Sequence, residues 1–191
     1  TGVKGILITT NKKKNARGGM LTYNDALTDL QLLQQTKIDG DFERHIFTTM
    51  FDLYALPDDF PGFEKIKTIR DPYLKVSNLE KDFADEINDN RFIPYIQLHE
   101  FEALLFSSNK GFESFFSEDN AKDTQHIIDT FSNPEDINTT PAGAPSKRLL
   151  AIKNDYDKVI EGNLIALEVG INDILAKCPR FRAWIEKLIE T

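Results

Sequence analysis

His45-Ile46-Phe47-Thr48-Thr49-Met50-Phe51-Asp52 is the stretch whose reading decides the fold class. Ile46, Phe47, Met50 and Phe51 send apolar groups to both faces, the pattern of a central strand covered by helices on each side. The run stops on an acid, and Pro57, Pro61 and Gly62 then break the chain. Upstream, residues 3–9 are short, apolar and rich in β-formers, which reads as a strand. Asn11 to Gly19 reads as a polar loop. A helix is expected over Tyr23–Gln35, with Thr22 as its N-cap, Asp25 three residues on, and an apolar stripe of Tyr23, Ala26, Leu27, Leu30 and Leu33.

Downstream, Ser77-Asn78-Leu79-Glu80 has the form of a capping box, so a helix is expected to start there with Leu79, Phe83 and Ile87 on its core side. Phe92 to Leu98 reads as a further strand, with Pro94 near its beginning. From Asn109 the periodicity is helical: Phe112–Phe116, Thr124–Phe131, Arg148–Lys153, Lys158–Val169, Ile171–Ala176 and Phe181–Ile189, with a polar loop from Asn133 to Gly143. Strands alternating with helices imply an α/β fold with a mainly parallel sheet flanked by helices, followed by a helical C-terminal half. The expected organisation is a single domain over residues 1–191, with an α/β core in 1–106 and a mostly helical flank in 107–191.

Composition narrows the class. At 191 residues the chain is long enough to bury roughly 70% of its unfolded surface without a disulfide or metal staple. Its single cysteine, Cys178, excludes an internal disulfide and points to a reducing compartment. Lying beside Pro179, Ile174, Leu175 and Phe181, it reads as a buried, inert thiol. No apolar run approaches the ~20 residues of a membrane helix, so no membrane partner and a cytoplasmic location are expected. The net charge of −8 argues against non-specific coating of nucleic acid, though not against local binding of a phosphate backbone. Positive charge gathers at Lys12, Lys13, Lys14 and Arg17, at Lys147, Arg148 and Lys153, and at Lys177, Arg180, Arg182 and Lys187. Each cluster also reads as ordinary solvated surface charge.

Two places could carry chemistry. In open α/β sheets, sites form at the carboxyl ends of strands. Asp52 closes one strand and Glu100 another. If the second strand continues through Glu102, then Glu100 and Glu102 share a face, since strand side chains repeat every second residue. Two or three converging carboxylates suit Mg2+, which prefers oxygen and keeps several waters. Each acid has a bland reading too: Asp52 as a turn cap, Glu102 as a first-turn helix acid, His99 as a structural histidine. The second place is Ala144-Pro145-Ser146-Lys147-Arg148. Proline suits the first helical position, so Lys147 and Arg148 fall in the first turn, where cations oppose the helix dipole by ~0.3–1 kcal/mol each. Two cations so placed point to an anion nearby, such as a phosphate, unless they are a screened surface pair. No phosphate-binding glycine loop, G-x-S-x-G, paired C-x-x-C or H-E-x-x-H occurs.

Several long strings resemble the bacterial domain-of-unknown-function family DUF4276. They are Thr49-Met50-Phe51-Asp52-Leu53-Tyr54, Asp59-Phe60-Pro61-Gly62, Arg91 through Phe106, Asn133-Pro134-Glu135-Asp136-Ile137-Asn138, Ala144 through Leu149, and Cys178-Pro179-Arg180-Phe181 ahead of Trp184. The resemblance runs nearly end to end. It implies a Toprim-like fold, in which a glutamate after the first strand and a D-x-D after a later one hold Mg2+. It also implies a neighbouring-gene ATPase partner and a setting in defence or mobile loci. The family's opening strand and its E-G-x-(S/T)-E segment are expected upstream of Thr1. Here Tyr54 stands where the D-x-D motif has its second aspartate, so Glu100 or Glu102 is expected to supply that ligand.

The sequence therefore predicts a Toprim-like, Mg2+- or Mn2+-dependent nuclease or related phosphotransfer domain acting on nucleic acid. Asp52 and Glu100 are the expected metal ligands, Glu102 a further ligand or base, and Lys147 and Arg148 the phosphate-binding pair, with Lys147 counted as catalytic. The alternatives are an inactive binding or regulatory subunit of an ATPase complex, or a small-molecule phosphohydrolase.

Overall fold

The computed structural model describes residues 3–5, 20–35, 45–138 and 143–190. The expected first strand beyond Gly5, the loop at 11–19 with its Lys12–Arg17 cluster, and residues 139–142 lie outside the described residues. The chain divides into two compact units, Thr1–Ile96 and Gln97–Thr191, and each is described by itself. The class is α/β.

The first unit opens with α1 (Tyr23–Gln35). Asp25 fixes its start by reaching back, its carboxylate accepting from the Leu21 and Thr22 amides at 3.0 and 3.1 Å. Of the expected stripe, Tyr23, Ala26 and Leu30 are buried, and Leu27 and Leu33 are half-buried. The strand expected over 45–51 forms as two short pieces, β1 (Phe47–Thr48) and β2 (Phe51–Asp52). The next is split as well, into β3 (Phe92–Ile93) and β4 (Ile96–Gln97), on which the chain passes into the second unit.

Proline explains the division. Pro94 has no N–H to donate, so the ladder cannot run through it. β1 and β3 are parallel, as expected, in the register Phe47 with Phe92 and Thr48 with Ile93. At the gap the buried Thr49 side chain substitutes for backbone: its hydroxyl donates to the Tyr95 carbonyl and accepts from the Tyr95 amide, both at 3.3 Å. Past the gap β2 pairs with β4, and the Phe51 amide donates to the Tyr95 carbonyl.

Two further helices among the described residues of this unit are α2 (Phe63–Ile66) and α3 (Pro72–Ile87). The capping-box reading is corrected: α3 starts at Pro72, and Asp71 caps it by accepting from Tyr73 and Leu74. Aspartate followed by proline at the first helical position is the stronger start signal, which leaves Ser77 inside the helix. Glu80 points elsewhere and accepts the Ile96 amide at 2.9 Å. The core side is as expected, with Leu79, Phe83 and Ile87 buried together with Val76. Phe83 is the centre of an aromatic cluster, its ring 4.8 Å from Phe60, 4.9 Å from Phe92 and 5.9 Å from Tyr23.

The second unit is helical from its first turn. It contains α4 (Glu102–Leu105), α5 (Lys110–Phe115), α6 (Glu118–Thr130), α7 (Pro145–Ile152), α8 (Glu161–Val169), α9 (Ile171–Lys177) and α10 (Pro179–Glu190). Its core holds Leu98, Leu104, Leu105, Phe106, Phe112, Leu149 and Ile165. α8 packs on both α4 and α5. The α5 contact depends on Gly111, where an added Cβ would lie 2.6 Å from the Ile165 carbonyl oxygen and 2.7 Å from its Cγ2. Backbone is in the way, so Gly111→Ala should lose about 1–3 kcal/mol to forced separation of the helices despite alanine's better helix propensity. Urea unfolding of the variant checks this. A midpoint at or above wild type would show that the two helices have room to part.

Candidate functional site

Leu98, His99, Glu100, Phe101 and Glu102 link β4 to α4, and His99 sets their geometry. Its φ is +72°, a left-handed conformation that reverses the chain at once. The strand therefore ends at Gln97, and Glu102 is the first residue of a helix. The strand-alternation argument for a shared Glu100/Glu102 face does not hold; the helical reading of Glu102 does. His99 is buried, and burial lowers its pKa against the opposing pull of Asp136 and Glu100.

A folded pKa below the ordinary value of 6.5 means that folding favours the neutral ring. That contribution is fully present above pH 6.5 and is lost as pH falls through the folded value. His99→Asn tolerates the positive φ and does not titrate, so its melting temperature should fall less than wild type's between pH 7.5 and 5. Parallel curves would remove His99 as the cause.

Glu100 anchors a distant helix. Its Oε2 accepts the Ser146 amide and its Oε1 the Ser146 hydroxyl, both at 3.0 Å. Ser146 is the second residue of α7, and Ala144 ahead of it supplies no side-chain cap. Glu100 therefore caps α7 from across the unit. The anion facing the Lys147/Arg148 helix start is this carboxylate. Arg148 donates to the Gly143 carbonyl at 2.8 Å and lies over the Phe131 ring at 5.4 Å, while Lys147 is exposed.

The same device recurs at α10. Cys178 precedes it and Pro179 is its first residue, and the fully buried Glu135 accepts the Arg180 and Phe181 amides at 2.9 and 3.1 Å. Desolvation raises the Glu135 pKa, partly offset by those two N–H donors. Cys178 is buried with its sulfur 3.3 Å from the Ser107 hydroxyl, and burial pushes the thiol up to about 12. It is protonated and inert at neutral pH.

Glu102 is the least conventional group. It is fully buried, and neither carboxylate oxygen accepts a hydrogen bond. Its partner is the Lys158 ammonium, 3.0 Å from Oε1 in an ion pair without hydrogen-bond geometry. The Tyr156 hydroxyl is also buried without a hydrogen-bond partner. Its pKa is raised by desolvation, then by Glu102, Glu161 and Asp157. A Cβ on Gly162 would come within 2.8 Å of that hydroxyl, so the first turn of α8 closes directly over it. The helix expected from Lys158 begins only at Glu161; before it, Asp157 accepts the Val159 and Ile160 amides at 2.8 and 2.9 Å and fixes a turn.

Asp52 lies in the first unit, at the end of β2 and ahead of a 3-10 turn over Leu53–Ala55 that its side chain does not cap. Among the described residues, no group of three or more His, Cys, Asp or Glu side chains is placed to hold a metal ion. Mg2+ does not require such a cage, since one or two carboxylates with waters and substrate phosphate suffice. The donor chemistry fits on that basis. Glu102 brings two oxygens that accept no hydrogen bond, and each Glu100 oxygen keeps a lone pair beyond its Ser146 contact. Tyr156, Lys158, Ser146 and Glu135 were not singled out by the sequence, because each acts on a partner remote in the chain. The Pro-led helix starts were the only local signal.

Fold and site define an α/β chain whose helical second unit buries the carboxylates Glu102 and Glu135. The chain belongs to the family described as a domain of unknown function (DUF4276), whose model matches residues 3–189. No curated protein and no solved structure matches it. No described helix is long and apolar enough to cross a membrane.

Proposed function

We propose that this chain is a Toprim-like domain performing Mg2+-dependent phosphoryl transfer on nucleic acid, with Glu102 and Glu100 as its cation-binding carboxylates. The observation that carries the reading is Glu102. A buried carboxylate normally collects backbone or side-chain N–H donors. This one accepts no hydrogen bond and forms an ion pair with the Lys158 ammonium, a disposition that suits a cation ligand. Bound there, Mg2+ would supply charge stabilisation for a phosphoryl group and a more acidic water.

The chain's own residues supply the rest. Ser146 fixes the orientation of the Glu100 carboxylate through two hydrogen bonds. Glu102 itself is fully buried. Exposed Lys147, one residue past Ser146, offers a positive charge to an incoming phosphate. A setting in defence loci with an ATPase partner belongs to this reading as well.

The test is hydrolysis of single- and double-stranded DNA, RNA and nucleotides in Mg2+ or Mn2+ against EDTA, with and without the neighbouring ATPase. Cleavage that requires the cation supports the reading; none under any condition contradicts it. The second reading, a non-catalytic binding subunit, is favoured by one observation. Val159, Ile160, Leu164, Leu167 and Ile171 expose apolar side chains on and beside α8.

A further inference from the structure

We propose that the outer face of α8 is the surface on which two copies of this chain dock. The inference does not depend on the cation reading of Glu102. α8 is apolar on opposite sides. Gly162, Ile165 and Val169 are buried, and the helix packs on α4 and α5. Ile160, Leu164 and Leu167 recur at spacings of four and three, which keeps them in one stripe on the other side. A helix that is apolar all round belongs in an interior.

The area is that of one half of a dimer interface. Ile160 is 62% exposed, Leu164 40% and Leu167 77%, and the stripe is extended at its ends by Val159 at 72% and Ile171 at 51%. Together they open on the order of 400 Å2 of aliphatic surface. A standard interface buries ~800 Å2 on each partner, of which roughly 60% is apolar. This stripe supplies most of that apolar share. A two-fold axis sets the same stripe opposite and supplies the other half.

Charge permits a copy to meet itself here, although the chain carries −8 overall. The stripe itself has no ionisable side chain. The charges next to it in the chain are largely neutralised from within: Glu161 by Lys153 at 3.1 Å, Asp173 by Lys110 at 2.8 Å, and Lys158 by Glu102 at 3.0 Å. Exposed Asn163 and Glu168 edge the stripe as a polar rim. Aliphatic surface with its flanking charges already paired is complementary to a second copy of itself, and gives a strongly charged partner little to recognise.

The experiment is sedimentation equilibrium on the full chain, with folding checked by circular dichroism. Interfaces of this size bind in the micromolar range or tighter, so wild type should be dimeric at ~50 µM. It should stay dimeric in about 0.5 M NaCl, where exposed ion pairs are screened and apolar contacts are not. Leu167→Glu places a charge in the middle of the stripe and should weaken the dimer at least about thirtyfold. Its side chain is open enough for the fold to survive the change. Should that variant melt low, Ile160→Ser removes apolar contact without adding charge and should weaken the dimer in the same direction. Leu74→Glu, at a 51% exposed position on α3, should leave the dimer unchanged. A monomeric wild type overturns the inference and assigns the face to a different partner. A dimer that survives both stripe variants overturns it by placing the contact elsewhere. A dimer that dissociates in salt overturns its apolar basis.

Discussion

Glu135→Ala is expected to destabilise the second unit by about 3 kcal/mol. The side chain is fully buried and accepts the second and third amides of α10, a twelve-residue helix. Alanine would leave those two N–H groups facing protein without an acceptor, each a penalty of roughly 1–3 kcal/mol. Glu135→Gln should lose far less, because its amide oxygen can accept in the same place and no charge needs desolvation. The pH dependence separates the two causes. Burial raises the Glu135 pKa above its usual 4.5, so protonation is easier in the folded state. Its favourable contribution is fully present below pH 4.5 and is lost as pH rises through the folded value. Urea midpoints should therefore favour wild type over Glu135→Gln most strongly in acid and least at neutral pH. An alanine variant as stable as wild type would show that water or another group caps α10.

The largest effect on activity is expected from Glu102→Gln. The substitution keeps shape and volume but removes the charge that faces Lys158. Cation-dependent turnover should fall by at least about a hundredfold, the scale on which metal-ligand shells are measured. Stability should change in the other direction from a typical core polar mutation. Losing a buried carboxylate that accepts no hydrogen bond removes a desolvation penalty, while the half-exposed Lys158 head can return to water. Melting at or above the wild-type temperature, with turnover gone, is the expected pair of results. Substantial loss of stability with turnover intact would make the Glu102–Lys158 pair a fold element.

The parts of the fold legible in the sequence were those set by neighbours in the chain. α1 runs over Tyr23–Gln35 as its periodicity predicts, because the apolar stripe and the Asp25 back-bond are both local. Phe83 and Ile87 were identifiable as core for the same reason, although the start of α3 was not, since two cap-like signals competed six residues apart. The strands were located but overextended. Pro94 removes one ladder donor and Thr49 repairs the gap with a hydroxyl, a substitution that no alternation pattern records.

The candidate site was legible as residue types and misread as geometry. Glu100 and Glu102 were expected on one strand face, but the left-handed turn at His99 ends the strand first. Lys147 and Arg148 were read as a phosphate-binding pair, whereas the acceptor that caps the start of α7 is Glu100, which lies 46 residues away from Ser146 in sequence. Tyr156 and Lys158 gave no signal, because the buried acid they meet, Glu102, is contributed by a helix more than fifty residues earlier in the chain.

The most direct test of the central claim is a calorimetric titration of the metal-free protein with Mn2+, run side by side with Glu102→Gln. The account predicts saturable binding by wild type and none by the variant, with both proteins folded by circular dichroism. Identical isotherms for the two proteins would contradict it.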